Sequence, residues 1–170
     1  MFKTTKSLDS SCHAQARPAA LLTCKDNIMP LSWHMPVSKE PFMYAVCVRD
    51  ENYSYDLLHQ HKEFALNFLD ISYSEVFDTM GRVHGKDVDK FTLSGLSKKE
   101  AKVIQTALIQ EAYMIYECTI VDILNYGDHD VFVAQVKCIH NTQDKEISPT
   151  LFMGRGMYET TSNKPRRVKR

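Results

Sequence analysis

Gly127-Asp-His-Asp-Val-Phe-Val-Ala-Gln-Val136 begins with turn residues and continues as a run of β-branched and aromatic side chains. The same composition fills Asp130 to His140 and, before the turn, Ala112 to Leu124. Val, Ile, Tyr and Phe at this density favour strands, and Asn125-Tyr-Gly-Asp-His129 supplies the Gly and Asn that tolerate positive φ in a hairpin loop. Two long antiparallel strands therefore anchor the second half of the chain.

Working outward, Pro18 to Cys24 reads as an edge strand, or the one by which the chain joins the sheet. Leu31 to Met35 and Phe42 to Val48 are further strands, bracketed by Pro30, Pro36 and Pro41, which forbid a continuing helix. Ser54 caps a short helix running to His61, with Tyr55, Leu57 and Leu58 on its apolar side, and Phe64 to Leu69 returns to strand. A second short helix is expected over Ser74 to Met80. Gly81 to Gly95, with three glycines and mixed charge, reads as a long surface loop. The Ser97 and Glu100 pair predicts a helix over Ser97 to Ala107, and Leu151 to Tyr158 a last strand. Clustered strands without regular βαβ alternation predict a mainly β fold, an antiparallel barrel with short peripheral helices. The domain spans residues 17–160, between a polar arm (1–16) and a basic tail (161–170).

The chain has 170 residues, 44% of them apolar and 25% charged, which excludes a disordered or low-complexity protein. Twenty-one basic and twenty-one acidic residues cancel, so no global field draws it to nucleic acid or anionic membrane. Five basic residues among the last seven give the tail only salt-sensitive, unspecific affinity, and nucleic acid is not an expected partner. Apolar stretches such as Phe42 to Val48 are far shorter than the roughly 20 residues of a membrane span. The first twenty residues lack the apolar block of a secretory signal, so a cytoplasmic location is expected. Five cysteines, Cys12, Cys24, Cys47, Cys118 and Cys138, form no C-x-x-C pair, so neither a disulfide framework nor a metal site is expected. Cys47, Cys118 and Cys138 lie in strand-like runs and read as small core residues. Cys12 and Cys24 leave a redox role open. His59 and His61, two apart, fall on opposite faces of a helix and make a poor metal pair.

The chain has no phosphate loop of the G-x-x-x-x-G-K-[ST] type, no H-E-x-x-H and no G-x-S-x-G. Gly154-Arg-Gly156 lacks the third glycine and the βαβ context of a dinucleotide fold. Asn27-Ile-Met-Pro-Leu-Ser-Trp-His-Met-Pro-Val-Ser38, then Val48-Arg49 with Tyr53-Ser-Tyr55, then Gly85-Lys-Asp-Val-Asp-Lys-Phe91, and finally the Gly-Asp-His hairpin form an ordered set. Together they resemble the flavin reductase-like, flavoredoxin-type proteins, over about residues 17 to 158. The resemblance implies an FMN-binding split β-barrel of Greek-key type, usually a homodimer, with FMN in a groove at or near the subunit interface. It also implies electron transfer from NADH, NADPH or a redox-protein partner, through FMN, to a flavin or other acceptor. The other outcomes are a non-catalytic flavin-binding module or a flavin-free dimeric scaffold.

The residues suit that task. Arg49 and Ser54 frame a turn in which a guanidinium, a hydroxyl and helix-start N–H groups can meet a phosphate, or they are a surface arginine and a plain cap. Lys86 and Lys90 are further phosphate candidates, against a reading as a solvated charged loop. By the resemblance, Asn27, Met29 and Tyr53 belong to the cofactor set, and Ser32 and Trp33 line the flavin ring. The single tryptophan reads equally as a core or interface anchor. Cys47 and Val48 would contribute backbone contacts rather than thiol chemistry. His129, beside Asp128 and Asp130, is the catalytic candidate: the resemblance sets it near the nicotinamide or substrate side of the flavin, and the bland alternative is a turn residue bonded to Asp128. Two departures stand out. Pro30 replaces a common threonine after Asn-x-Met, removing a hydroxyl and a backbone donor, and Ala134 replaces a common glycine.

Overall fold

The structure, a computed structural model, describes residues 16–143 and 146–161. The polar arm up to residue 15, with Cys12, and the tail from residue 162 lie outside them. In chain order the strands are β1 (Arg17–Pro18), β2 (Ala20–Cys24), β3 (Asn27–Leu31), β4 (His34–Lys39), β5 (Phe42–Arg49) and β6 (Glu63–Phe68). They continue with β7 (Lys98–Lys99), β8 (Leu108–Ile109), β9 (Met114–Tyr126), β10 (His129–Asn141), β11 (Leu151–Gly154) and β12 (Met157–Glu159). Helix α1 (Tyr53–His61) precedes β6, while α2 (Ser74–Arg82) and α3 (Lys90–Ser94) follow it.

Seven strands form one antiparallel sheet in the order β3-β2-β6-β9-β10-β5-β4. Its edges, β3 and β4, are consecutive in the chain and joined by Ser32 and Trp33 alone. A flat sheet would hold them about 29 Å apart, at about 4.8 Å per strand, and the link reaches roughly 10 Å. The sheet must therefore roll until its edges meet at a seam. Both edges carry a proline, Pro30 in β3 and Pro36 in β4, where a missing N–H costs no ladder bond.

The rolled sheet encloses a core of Leu22, Val46, Val48, Leu66, Phe64, Phe132 and Ala134, closed at one end by Leu57 and Leu58 of α1. Strand β2 is buried along its whole length. Alternation sends Leu22 and Cys24 inward and turns Leu21 outward, onto a second cluster with Ile28, Leu69, Phe77 and Met80 under α2 and α3.

The β9–β10 hairpin forms as expected, turning at Gly127 with φ +65°. Three expectations change. Pro18 to Cys24 is mostly an interior strand: β2 pairs with β3 along one edge and β6 along the other, and its apolar residues pack on both faces. Gly81 to Gly95 is not all loop: Asp89 caps α3 by accepting from Phe91 and Thr92 N–H, and Lys90 and Phe91 are buried. The helix expected over Ser97 to Ala107 is absent. Instead, β7 is followed by an irregular segment whose N–H groups bond to distant carboxylates: Lys102, Val103 and Ile104 to Glu117, and Gln105 to Glu63. Two smaller shifts also occur. Leu31 to Met35 divides at Ser32 and Trp33 between β3 and β4, and Leu151 to Tyr158 is a hairpin, β11 and β12, rather than one strand.

Candidate functional site

A cavity of about 290 Å³ opens at the seam, between the end of β3, the Ser32–Trp33 link, the end of β5, the start of α1 and the chain leaving α2. That is the lower end of the small-molecule range, roughly 300–1,000 Å³. Asn27 and Met29 reach it from β3, Cys47, Val48 and Arg49 from β5, Tyr53 and Ser54 from α1, Lys90 from α3 and His129 from β10. Ser32 and Trp33 complete the set. Of the sequence candidates only Lys86 lies outside: its ammonium bonds to Asp56 at 3.3 Å and rests over the Tyr53 ring.

One end of the cavity is polar and buried. Lys90, 5% exposed, donates from Nζ to the main-chain oxygens of Ile28 (2.8 Å) and Met80 (2.9 Å). Burial lowers its pKa, and no carboxylate among the described residues pairs with it. A buried ammonium with one of its three donors unused is a place for an anion. Ser54 is buried beside it and accepts from Asn27 Nδ2 at 2.8 Å, while Asn27 Oδ1 is buried with no protein donor. An orphan oxygen acceptor calls for a hydroxyl donor. Gly85 closes over it: a Cβ there would come within 2.0 Å of Asn27 Oδ1 and 2.9 Å of the Tyr53 ring. Asn52, not the expected Ser54, is the N-cap of α1 and makes no side-chain cap bond; Tyr55 N–H is taken by Asn52 O at 2.9 Å, which leaves the N–H groups of the cavity-lining Tyr53 and Ser54 as the helix-start donors. A cation, free helix-start donors and a hydroxyl acceptor are the donor set of a phosphorylated polyol. The residues present fit FMN at this end.

The other end is flat. Trp33 and His129 stack with centroids 4.7 Å apart at 22°. His129 and Arg49 are opposite one another across β10 and β5. Asp128 accepts from His129 Nδ1 at 2.7 Å and lies 3.5 Å from Arg49 Nε. The His129 hydrogen bond is the main cause of the lowered Asp128 pKa, and it fixes Nδ1 as the protonated nitrogen. Arg49 also meets Glu51 at 3.4 Å, so it stands at the rim between two carboxylates. Cys47 N–H donates to Trp33 O at 2.9 Å, joining β5 to the link, and burial raises its thiol pKa. Cys24 is fully buried with its Sγ donating to Glu63 O at 3.3 Å, and burial pushes its thiol up to about 12.

Sequence reasoning passed over Asn52, His84 and Gly85, which also line the cavity. Gly85 stood inside a quoted motif, and a glycine amid polar residues signals close backbone approach. His84 carried no such signal. Elsewhere, His59 bonds to buried Asp130 at 2.8 Å and serves packing of α1 on β10.

Residues 12–161 match the flavin reductase like domain. An uncharacterized protein of Aeropyrum pernix is 29% identical over 136 residues, 75% of this chain, and the chain spans only about half (52%) of that relative's length. An FMN-binding protein of Thermus thermophilus superposes with a TM-score of 0.88 at 19% identity, over 99% of both chains. A flavoredoxin of Methanosarcina acetivorans gives 0.85 at 23% identity, over 99% of this chain and 95% of its own. These likenesses show the split-barrel fold. With the domain match running from before β1 to beyond β12, the chain belongs to the flavin reductase-like family.

Proposed function

We propose that the chain is an FMN-binding oxidoreductase that takes electrons from a reduced nicotinamide nucleotide or a redox protein and passes them to a flavin or other acceptor. The observation that carries this reading is Lys90, a buried cation with no acidic partner, beside the orphan Asn27 Oδ1. Lys90, Ser54 and the start of α1 hold the phosphate, with Arg49 exchanging a carboxylate for it at the rim. Asn27 accepts from a ribityl hydroxyl. Main-chain groups of Ser32, Trp33, Cys47 and Val48 address the polar edge of the ring. Bound FMN supplies the hydride-transfer chemistry. His129, its Nδ1–H held by Asp128, presents Nε2 to the nicotinamide or acceptor and orients it.

A cavity of this size encloses part of FMN, and a second subunit supplies the rest of the groove. Trp33, Met35 and Val37 on one side of the seam and Val121, Leu124 and Tyr126 on the β9 side are exposed apolar surface suited to a homodimer.

The test is a visible spectrum of the purified protein with added FMN, then anaerobic NADH or NADPH. A retained flavin band at about 450 nm that bleaches with one nucleotide is expected. A band that does not bleach makes the chain a carrier fed by a redox protein. No retained band overturns the reading and leaves the scaffold.

A further inference from the structure

At the end of the β9–β10 hairpin remote from its turn, three side chains of different chemistry come together. Glu117 of β9 and Cys138 of β10 are cross-strand partners, and His140 follows two residues on, on the same face of β10. A β-bulge makes this set. Val136 is opposite Cys118 and packs with it in the barrel core, but the register shifts before Cys138, which is opposite Glu117 instead. The bulge thereby turns Cys138 and His140 out of the core, onto the face where Glu117 holds residues 102–104. His140 Nε2 lies 2.6 Å from Glu117 Oε1 and 3.9 Å from Cys138 Sγ, and one donor atom of each residue lies within 4.8 Å of the other two. Glu117 is buried, while Cys138 and His140 are partly exposed. None of the three lines the seam cavity.

We propose that Glu117, Cys138 and His140 are three ligands of a divalent ion of the zinc class, with solvent in the fourth position. The donor set selects the ion: sulfur, nitrogen and oxygen together suit Zn²⁺ in a tetrahedral site, and not the all-oxygen cations Ca²⁺ and Mg²⁺. Charge agrees, since a carboxylate, a thiolate and a neutral imidazole cancel the ion's two positive charges. Bonds of about 2.0 Å to N and O and about 2.3 Å to S would set N···O at about 3.3 Å and N···S at about 3.5 Å. A small shift of the His140 ring, away from Glu117 and towards Cys138, brings both contacts to those values. The hydrogen bonds on Glu117 do not stand in the way. Oε1 gives the ion the lone pair that His140 Nε2 now faces and keeps Lys102 N–H on the other, while Oε2 keeps Val103 and Ile104 N–H. Three backbone donors then orient the ligating carboxylate, as outer partners of metal ligands do. Binding leaves the His140 ring neutral with its proton on Nδ1, freeing Nε2, and sends the Cys138 thiol proton to solvent. The ion ties β9, β10 and residues 102–104 together and stabilises the fold by mass action. No spacing motif announces the site, because the strand pairing and the bulge assemble it.

Cobalt(II) titrated into the reduced, chelator-treated full chain tests this, read as difference spectra so that any bound flavin cancels. One equivalent is expected to produce a thiolate-to-cobalt charge-transfer band and the intense d–d bands of a tetrahedral ion, and one equivalent of zinc to bleach both. Cys138→Ser removes the charge-transfer band and weakens zinc binding at least tenfold, His140→Ala weakens it at least tenfold, and Cys12→Ser leaves both within twofold. Zinc raises the urea midpoint of the parent and not that of Cys138→Ser. Absence of the charge-transfer band at one equivalent overturns the proposal, as does its survival in a Cys138→Ser chain whose circular dichroism matches the parent. Should Cys138→Ser not fold, His140→Ala decides, and unchanged zinc affinity in that variant overturns the site. Cobalt binding without FMN retention would keep this site and remove the flavin reading; FMN retention without cobalt binding would do the opposite.

Discussion

Lys90 and Arg49 approach the same cavity in opposite electrostatic states. Lys90 is buried, held by two carbonyls and uncompensated, whereas Arg49 is half exposed and already paired with Glu51 and Asp128. A phosphate therefore gains from Lys90 a charge-assisted bond with no competitor, and from Arg49 one that must displace a solvent-screened pair. Each such bond contributes about 1.5–3 kcal/mol, so Arg49→Ala with Lys90→Ala is expected to weaken FMN binding at least a hundredfold, with Lys90 the larger share. Lys90→Ala also strips a donor from Ile28 and Met80 oxygens and costs about 1–3 kcal/mol of stability. FMN titration of each variant, with a urea melt beside it, separates the two effects. Unchanged flavin affinity in a folded double variant would remove Lys90 and Arg49 from the phosphate site. Lys90 was legible as a cation in a motif; its burial was not, since that depends on Asp89 starting a helix inside what reads as a glycine-rich loop.

At the scale of the element, legibility followed the range of the forces involved. The β9–β10 hairpin could be read because its composition is local, although its strands pair across Gly127 and Asp128 alone, a tighter turn than the five residues expected, since Asn125, Tyr126 and His129 join the ladder. Residues 100–107 could not, because what shapes them lies on other strands: buried Glu117 in β9 accepts from three successive N–H groups there and from His140 at 2.6 Å. A helix would satisfy the same donors locally, but would leave the carboxylate buried in β9 with His140 as its one remaining partner among those named. The same bonds occupy both Glu117 oxygens, and Cys138 lies beside His140 in the same cluster. Burial alone would raise the Glu117 pKa, yet these four hydrogen bonds outweigh it and the net shift is downward. A lowered carboxylate pKa adds stability at neutral pH that disappears as pH falls through the lowered value. Glu117→Gln, which turns an NH₂ toward N–H donors, should cost about 3 kcal/mol at pH 7 and less at pH 3, below the ordinary carboxylate value of about 4.3. Urea melts at the two pH values check this; an equal loss at both would show that the charge is not what holds the segment. The seam was half legible: prolines marked both edge strands, but only the pairing order shows that Ser32 and Trp33 span from one edge to the other.

For the whole molecule, the question is what keeps the rolled sheet and the small β1-β11-β12 sheet in one register. His34, at the start of edge strand β4, bridges them: Nε2 lies 3.0 Å from the Pro18 oxygen in β1 and Nδ1 2.9 Å from the Tyr44 hydroxyl in β5. A carbonyl only accepts, so Nε2 carries the proton and Nδ1 accepts from Tyr44. That arrangement suits a neutral ring, because a second proton would place a charge where burial has stripped away water. Burial accordingly pushes His34 down to about 4, with the Pro18 contact opposing in part. The unfolded chain takes up its proton near the ordinary histidine value of about 6.5, so above that pH both states are neutral and nothing is lost. As pH falls from about 6.5 towards 4 the unfolded state binds the proton first, and stability declines by up to about 3 kcal/mol before levelling off below the folded value. This window lies above the one in which Glu117 acts, so the two can be told apart. His34→Gln keeps one donor and one acceptor without titrating, and should abolish the decline between pH 6.5 and 4 while leaving the loss at lower pH. A parent protein whose urea midpoint is flat across that interval would show that His34 does not carry the junction between the two sheets.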